Sequence, residues 1–466
     1  MSGFASRADE FRPSPVRAVF EVARDPSVVS LAGGNPDLSV LPADAVGDVA
    51  SLLLRGRAGE ILQYGSGAGM DGLRELVVKL MARGGSTVTG ADILPTTGSQ
   101  AGLDLVTKLY CNPGDVIVAE GPTYVGALGV FGAYEVDVHH VEMDHDGMRP
   151  EAVARALDEL AVQGRRVPFV YAIPSFQNPT GVTMPEERRR ELVEVCAQRD
   201  VMIVEDDPYA LLAFDRSEPL PSMHGMDPEH VIHLGSFSKI FAPGLRVGWM
   251  AAPPEVRGRL QIAAESVVIH PSNLAQSLVT SWVGSEHWEP ALDRAVELYK
   301  ERWTAMEEAL TEYMPDSASW TTPSGGFFTW VTAEELRGKD ILAEAIAHGV
   351  VLVPGSASYM DGRESNAARL AFSGVAPARI REGVKRFAEA LRSLLRARTT
   401  THGVTVSGGT GKASPPARGL SDGCPQAGPS GSCSRGPRGA QGVPVGPSHE
   451  CGQQAGDHGF AAVSVS

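Results

Sequence analysis

The sequence has few cysteines, an excess of acidic over basic residues and no long apolar run, and each property excludes a class of protein. Five cysteines without regular spacing predict neither a metal site nor a disulfide framework. The net charge of −15 argues against nucleic acid or an anionic membrane as the main partner. The chain lacks a stretch of about 18 uncharged apolar residues, and its start, MSGFASRADEFRPSP, lacks the apolar segment of a secretory signal. We therefore expect a cytoplasmic protein that uses neither a membrane nor nucleic acid as a partner.

The composition changes near residue 399. Residues 399–466 hold 15 glycines, 9 serines and 7 prolines and show almost no periodic apolar pattern. Such a segment buries too little apolar surface to offset the entropy lost on ordering. We expect a disordered tail, and the irregular spacing of its three cysteines does not predict a metal site.

Before the tail, predicted strands alternate with predicted helices. Apolar runs of strand length occur at residues 116–120, 169–174, 201–207, 231–238 and 246–253. Helical periodicity follows at residues 100–110, 185–199 and 254–267. Apolar strands separated by amphipathic helices predict an α/β fold with a mostly parallel central sheet flanked by helices. Later elements, with helices at residues 290–313, 340–348 and 377–398, predict a smaller α+β domain.

These patterns divide the chain into four predicted parts. A short N-terminal segment (1–35) precedes a large domain (36–285). A small C-terminal domain (286–398) and the disordered tail (399–466) follow.

The stretch SFSKIFAPGLRVGW (236–249) places two cations beside two hydroxyl residues at the end of a predicted strand. Ligands of open α/β sheets bind at the carboxyl ends of the strands. Ser236, Ser238 and Arg246 are suited to holding a phosphate, because hydroxyls and a guanidinium fork donate to its oxygens. Lys239 is a candidate amine nucleophile, since burial and neighbouring cations favour the neutral amine. A polar loop with a solvated lysine is the alternative interpretation of this stretch taken alone.

Two more stretches place ligand-binding groups at the same predicted edge. Gly98, Ser99 and Gln100 stand where a turn opens a helix, and backbone N–H groups at a helix N-terminus favour an anion. Asp206 and Asp207 follow an apolar strand, where a carboxylate can face a ring nitrogen of a ligand. Taken alone, the first stretch is more simply interpreted as an ordinary helix N-cap, and the alternative for the second is a capping acid before a proline.

An amide and an aromatic ring complete the set. Asn178, in a turn before a proline, is able to donate to a phenolate-type oxygen, and Tyr124 is able to stack on a planar ring, although a tyrosine packed at a strand end is more common. Together the stretches supply a phosphate cradle, a reactive lysine, a carboxylate for a pyridine nitrogen, an amide and an aromatic lid. Pyridoxal 5'-phosphate requires that combination.

The order TGSQ, GPTY, NPTG, EDDPY, SFSK and GLRVG resembles the class I/II aminotransferases of the fold-type I pyridoxal-phosphate superfamily over roughly residues 14–395. Three further stretches, SPVRAVF (14–20), SLAGGNPD (30–37) and LQYGSGAGMDGLRE (62–75), are most similar to the 2-aminoadipate/kynurenine aminotransferase branch. The resemblance implies a homodimer with shared active sites.

The resemblance also implies a role for each matching position. Lys239 matches the lysine that forms an imine with the cofactor, and Asp206 matches the acid at the pyridine nitrogen. Asn178 and Tyr209 match the groups at the 3'-oxygen, and Tyr124 matches the stacked aromatic residue. The implied phosphate contacts are Ser99, Gln100, Ser236, Ser238, Arg246 and, from the neighbouring subunit, Tyr64.

For the substrate, the resemblance implies that Arg369 grips the α-carboxylate bidentately. Gly34 matches backbone that approaches the same carboxylate. Arg17 matches a mobile arginine that meets acidic side chains in this branch, but a solvated arginine is an equally simple interpretation. The Asn178–Pro179 bond is expected to be cis, as in family members.

The resemblance implies an aminotransferase that moves an amino group between an L-amino acid and a 2-oxo acid. One pair is expected to be glutamate and 2-oxoglutarate, and the other 2-aminoadipate, an aromatic or a branched-chain amino acid. A non-transaminating pyridoxal-phosphate enzyme, catalysing elimination or oxidation, is the alternative. A transcription factor of this fold needs a DNA-binding domain, and only about 30 residues precede SLAGGNPD.

Overall fold

In the computed structural model, the apolar runs form strands and the periodic segments between them form helices. The structure describes residues 3–5, 7–8, 19, 21–334 and 336–403. The strands are β1 (Val29–Ser30), β2 (Ile93–Thr96), β3 (Val116–Gly121), β4 (Asp137–Asp144), β5 (Gly147–Met148), β6 (Phe169–Ala172), β7 (Met202–Asp206), β8 (Val231–Ser236), β9 (Gly248–Ala251), β10 (Ala318–Trp320), β11 (Phe328–Ala333), β12 (Val350–Val351), β13 (Val353–Pro354) and β14 (Ala367–Ala371).

The helices carry the amphipathic segments. They are α1 (Ala43–Ile61), α2 (Asp71–Arg83), α3 (Ser99–Tyr110), α4 (Val125–Ala133), α5 (Pro150–Val162), α6 (Glu186–Ala197), α7 (Met223–Met226), α8 (Pro254–Val268), α9 (Asn273–Val283), α10 (Trp288–Tyr313), α11 (Gly338–Ala347) and α12 (Pro377–Gly403). Within the described part of the chain, no helix is long and apolar enough to cross a membrane.

Eight strands form the central sheet, in the order β2-β9-β8-β7-β6-β3-β4-β5. The five strands β8, β7, β6, β3 and β4 are parallel to one another. The edge strand β2 pairs antiparallel with β9, β9 pairs antiparallel with β8, and the edge strand β5 pairs antiparallel with β4, so the sheet is mixed. The predicted parallel sheet with flanking helices is therefore confirmed for the central strands, whereas the segment predicted at 246–253 joins as an antiparallel strand.

Alternate residues of the central strands enter different apolar cores, which is why these strands are apolar throughout. On one face, Tyr171 and Val204 pack with residues of α3, α4 and α8. On the other face, Val170 and Ile203 pack with residues of α5 and α6. This alternation decides which side chains at the strand ends share a face.

A second sheet, in the order β10-β11-β14-β13, is antiparallel and packs with α10 and α12. The N-terminal strand β1 pairs in parallel with β12, which brings the segment after Ser30 beside β14. The backbone N–H of Ala371 donates to the carbonyl of Leu31 at 2.7 Å. Residues 31–37 are thereby held close to the strand that carries Arg369.

The predicted boundaries at residues 35, 285 and 398 stay predictions. Of the predicted tail, only the backbone of residues 399–403 is described, as the end of α12, so its disorder also stays a prediction. Arg17 lies outside the described residues.

Candidate active site

One cavity of about 690 Å³ opens at the carboxyl ends of the parallel strands. It collects most of the residues that the sequence singled out, although they come from positions 34 to 369. The predicted residues that line it are Gly34, Ser99, Gln100, Tyr124, Asn178, Asp206, Tyr209, Ser236, Ser238, Lys239, Arg246 and Arg369.

The loop after β8 forms one wall of this cavity. The backbone N–H of Ser238 donates to Ser236 Oγ at 3.1 Å, and Arg246 Nη1 donates to Ser238 Oγ at 3.2 Å. Arg246 follows a short 3₁₀ helix and has left-handed backbone, with φ of 51°. This backbone folds the exposed arginine toward the two buried serines, where the three donors converge.

The start of α3 faces the same donors. Gly98 has φ of +89°, a conformation that favours glycine. A Cβ atom at Gly98 would lie 2.2 Å from Arg246 Nη2, so the end of the Arg246 side chain would have to move to make room for it. Although Gly98 itself does not line the cavity, its lack of a side chain lets Arg246 approach the first turn of α3, where Ser99 and Gln100 lie. N–H groups at a helix N-terminus and a guanidinium in one place are suited to binding an anion.

Lys239 reaches the cavity from the turn that follows Ser238. Its Nζ donates to the carbonyl oxygen of Gly34 at 3.0 Å. The pKa of Lys239 is lowered from 10.5 to about 8, mainly by burial and also by the nearby guanidiniums of Arg369 and Arg246, while Asp206 acts in the opposite direction. The amine is therefore much closer to its neutral, nucleophilic form at pH 7 than a solvated lysine is.

Asp206 lies at the cavity because it occupies the same face of β7 as Val204. Its Oδ2 accepts a hydrogen bond from the hydroxyl of Tyr171 at 2.7 Å. Its Oδ1 is buried and has no hydrogen-bond partner among the described residues. Burial raises the pKa of Asp206 to about 6, although the Tyr171 hydrogen bond favours the carboxylate.

Asp207 lies elsewhere. It lines a separate small cavity with His233 and Trp249 instead of the main one. The strand pattern alone left open which of the two acids faces a ligand, and the family resemblance implied Asp206. In the structure Asp206 lines the main cavity.

Arg369 lies at the other end of the cavity and is buried. Its Nη1 donates to Asn178 Oδ1 at 3.0 Å, and its Nη2 donates to the carbonyl of Ala32. The guanidinium is stacked 4.4 Å from the centre of the Phe328 ring. Its Nε has no partner in the part of the chain that the structure describes. A buried guanidinium with an unused donor is suited to a carboxylate ligand.

Aromatic and amide groups surround the middle of the cavity. Tyr209 is buried against Phe327 and Phe328, with ring centres 5.5 and 6.0 Å away. The side-chain amide nitrogen of Gln100 donates to the carbonyl of Gly126 at 2.9 Å, close to Tyr124 in sequence. The Asn178–Pro179 bond is cis.

Tyr64, like Gly98, is a predicted site residue that does not line this cavity. It is 76% exposed, and its ring lies 5.8 Å from that of His270 in a T-shaped contact. A residue that contacts the active site of a neighbouring subunit is expected to be exposed in a single chain, as Tyr64 is.

Two residues with direct contacts to the site were missed by the sequence interpretation. Phe328 carries the stacked Arg369, and Tyr171 holds Asp206. Phe328 lies in PSGGFFTWV, where the paired glycines before an aromatic pair are a signal of close backbone approach. Tyr171 lies inside an apolar strand and gave no such signal.

Comparisons with known proteins identify the family. The aminotransferase class I and II family matches residues 26–387. The aromatic-amino-acid aminotransferase 1 of Thermococcus litoralis is 39% identical over 392 residues, which cover 84% of this chain and 94% of that protein.

Two solved structures extend the comparison. The kynurenine aminotransferase of Pyrococcus horikoshii, in complex with PMP, is 38% identical to this chain and has a TM-score of 0.80. The match covers 84% of this chain and 98% of that one. The α-aminoadipate aminotransferase of Thermus thermophilus, complexed with N-(5'-phosphopyridoxyl)-L-leucine, has a TM-score of 0.77 and 32% identity, with coverages of 84% and 98%. The chain therefore belongs to the class I and II aminotransferases.

Proposed function

We propose that the cavity binds pyridoxal 5'-phosphate and that Lys239 is the residue that bonds to it. The observation that carries this proposal is the shared cavity of Lys239, with its lowered pKa, and Asp206, with a buried unpartnered oxygen. Asp206 Oδ1 would accept from the pyridine N–H. The phosphate would lie at the anion site formed by Ser99, Ser236, Ser238 and Arg246.

The other cavity residues fit the rest of the ring. Tyr124 would stack on it, and Asn178 and Tyr209 would donate to its 3'-oxygen. When bound, this cofactor supplies an electron sink that makes the α-proton of an amino acid removable. A carboxylate at Asp206 keeps the ring nitrogen protonated, and Lys239, once released, moves the α-proton as a general base. Tight packing of Phe328 against Gly34 and Arg369 helps to exclude water.

We propose an L-amino acid and a 2-oxo acid as the substrates. Arg369 would hold the α-carboxylate through its unused Nε–H, with support from the backbone at Gly34. Glutamate and 2-oxoglutarate are the proposed common pair, and 2-aminoadipate, an aromatic or a branched-chain amino acid is the proposed second donor. Arg17 is the proposed contact for an acidic side chain. Measuring kcat/KM for a panel of donors, for wild type and Arg17→Ala, tests the assignment. The substitution should lower kcat/KM for acidic donors only.

We also propose a homodimer in which Tyr64 reaches the phosphate of the partner. Support comes from large exposed apolar side chains around Tyr64 and on α8, an arrangement typical of a subunit interface. These are Leu62, Ile262, Val267, Val268 and Ile269. Sedimentation equilibrium should give a dimer mass, and a mixture of Tyr64→Ala and Lys239→Ala subunits should recover activity that neither homodimer has. A monomer with full activity would contradict this arrangement.

The half-reaction with L-glutamate alone tests the proposed chemistry. The holoenzyme should lose its visible absorbance, and 2-oxoglutarate should accumulate to one equivalent per site without free ammonia. A 2-oxo acid acceptor should then restore the spectrum. Continuous release of ammonia and oxo acid without an acceptor would instead indicate the eliminating or oxidising alternative. A cytoplasmic location stays a prediction.

A further inference from the structure

We propose that Tyr171 is a positioning residue that fixes the Asp206 carboxylate in the orientation needed by the ring nitrogen of the cofactor. This inference rests on the proposed function, because it assigns a task to the residue behind the proposed nitrogen ligand. The hydroxyl of Tyr171 does not line the cavity itself.

The sheet brings these two residues together. Strands β6 and β7 are parallel neighbours, with Tyr171 paired to Val204. Asp206 lies two residues beyond Val204 and therefore projects from the same face. The tyrosine side chain is long enough to span this offset, and its hydroxyl donates to Asp206 Oδ2 at 2.7 Å.

The two oxygens of Asp206 have different surroundings. Oδ2 is occupied by Tyr171, whereas Oδ1 is buried without a partner within the described residues. A carboxylate held by one oxygen cannot rotate freely about its Cβ–Cγ bond. The hydrogen bond of Tyr171 therefore leaves Oδ1 as the oxygen available to a donor in the cavity.

The donor itself is held in place. Tyr171 is fully buried, and its ring makes a T-shaped contact with Phe131, with centres 5.5 Å apart. Burial also raises the pKa of the Tyr171 hydroxyl well above its usual value, so the proton stays on the phenol and is available for donation. A ring fixed in a packed core loses little entropy when it makes the bond.

Other charges act on Asp206 without orienting it in this way. The groups that interact with its carboxyl electrostatically come from several strands and loops and are Glu120, Tyr124, Asp207, Tyr209, His233 and Lys239. Of the side chains that the structure describes, Tyr171 is the one with a hydrogen bond to Asp206.

Cofactor binding to the apoenzyme separates a positioning role from a packing role. The dissociation constants of pyridoxal phosphate and its 1-deaza analogue, which lacks the ring nitrogen, should be measured for wild type and Tyr171→Phe. Loss of one hydrogen bond to a charged group should weaken pyridoxal phosphate about tenfold. The 1-deaza analogue should be unaffected, because it makes no bond to Asp206. In the Asp206→Ala background, Tyr171→Phe should have no further effect.

Tyr134→Phe is the matched control, since its hydroxyl also donates to a carboxylate, that of Asp104 at 3.2 Å, and not to Asp206. It should leave both constants unchanged. If Tyr171→Phe does not fold, 3-fluorotyrosine at position 171, a stronger hydrogen-bond donor, should tighten pyridoxal phosphate alone.

Equal changes for both ligands, or no change for either, would overturn the role of Tyr171 while leaving the proposed function intact. Wild-type apoenzyme that binds no pyridoxal phosphate would instead remove the proposed function, and this inference with it.

Discussion

The guanidinium of Arg369 donates a hydrogen bond to the side-chain oxygen of Asn178 at 3.0 Å. Arg369, the proposed contact of the substrate carboxylate, is thus hydrogen-bonded directly to Asn178, the proposed contact of the cofactor ring. Because Asn178 Oδ1 accepts from Arg369, its amide N–H groups are left to donate. This fixes both the arginine and the amide orientation with one contact.

Arg369→Lys should lower kcat/KM for every amino donor about 100-fold, mainly through KM. A lysine keeps the charge but loses the planar fork and the stacking on Phe328, which correspond to a few kcal/mol of binding. Steady-state kinetics with several donors measures the effect. Arg363→Lys is the control, because Arg363 forms an exposed ion pair with Asp361. An unchanged KM in Arg369→Lys would refute the carboxylate assignment.

Gly98→Ala should weaken cofactor binding at least tenfold. Alanine is strained at φ of +89°, and its Cβ would displace Arg246 from the anion site; strain of this kind costs about 1–3 kcal/mol. Fluorescence titration of the apoenzyme with pyridoxal phosphate measures the loss. Gly47→Ala, in α1, should leave the affinity unchanged, because a Cβ atom there would meet no other atom within 4 Å. Wild-type affinity in Gly98→Ala would show that the tight approach of Arg246 is unnecessary.

The rate of cofactor incorporation should rise with pH and level off above a midpoint near 8. The reactive form of Lys239 is the neutral amine, and burial lowers its pKa to about 8, so this form dominates at higher pH. Stopped-flow absorbance of apoenzyme mixed with pyridoxal phosphate across pH 6–10 gives the profile. A rate still rising steeply near pH 10 would instead indicate a solvated lysine with a pKa close to 10.5.

Much of the site could be predicted because its groups follow strand ends. A parallel sheet places those ends at one edge, so Lys239, Asp206 and Asn178 meet whatever the details of packing. The residue pattern alone did not separate Asp206 from Asp207, and the choice of Asp206 came from the family resemblance. In the structure Asp206 reaches the cavity because it shares a strand face with Val204, which packs with α3 and α4.

What the sequence left out depends on long-range pairing. Tyr171 contacts Asp206 only because the register of β6 and β7 pairs it with Val204, and no local pattern determines a register. In the same way, β1 pairs with β12 across more than 300 residues, which places Gly34 against Phe328 and Lys239. The reversed directions of β9 and β5 could not be predicted either, because an apolar pattern carries no information about strand direction.

Reduction of the holoenzyme with borohydride, followed by peptide mass spectrometry, tests the role of Lys239 most directly. Reduction makes the bond between the cofactor and its lysine permanent, so the modified peptide identifies the residue. We expect one phosphopyridoxyl group per chain, on Lys239 in SFSKIFAPGLR, and none in Lys239→Ala. A phosphopyridoxyl group on another lysine, or no modified peptide from an active enzyme, would contradict the proposed site.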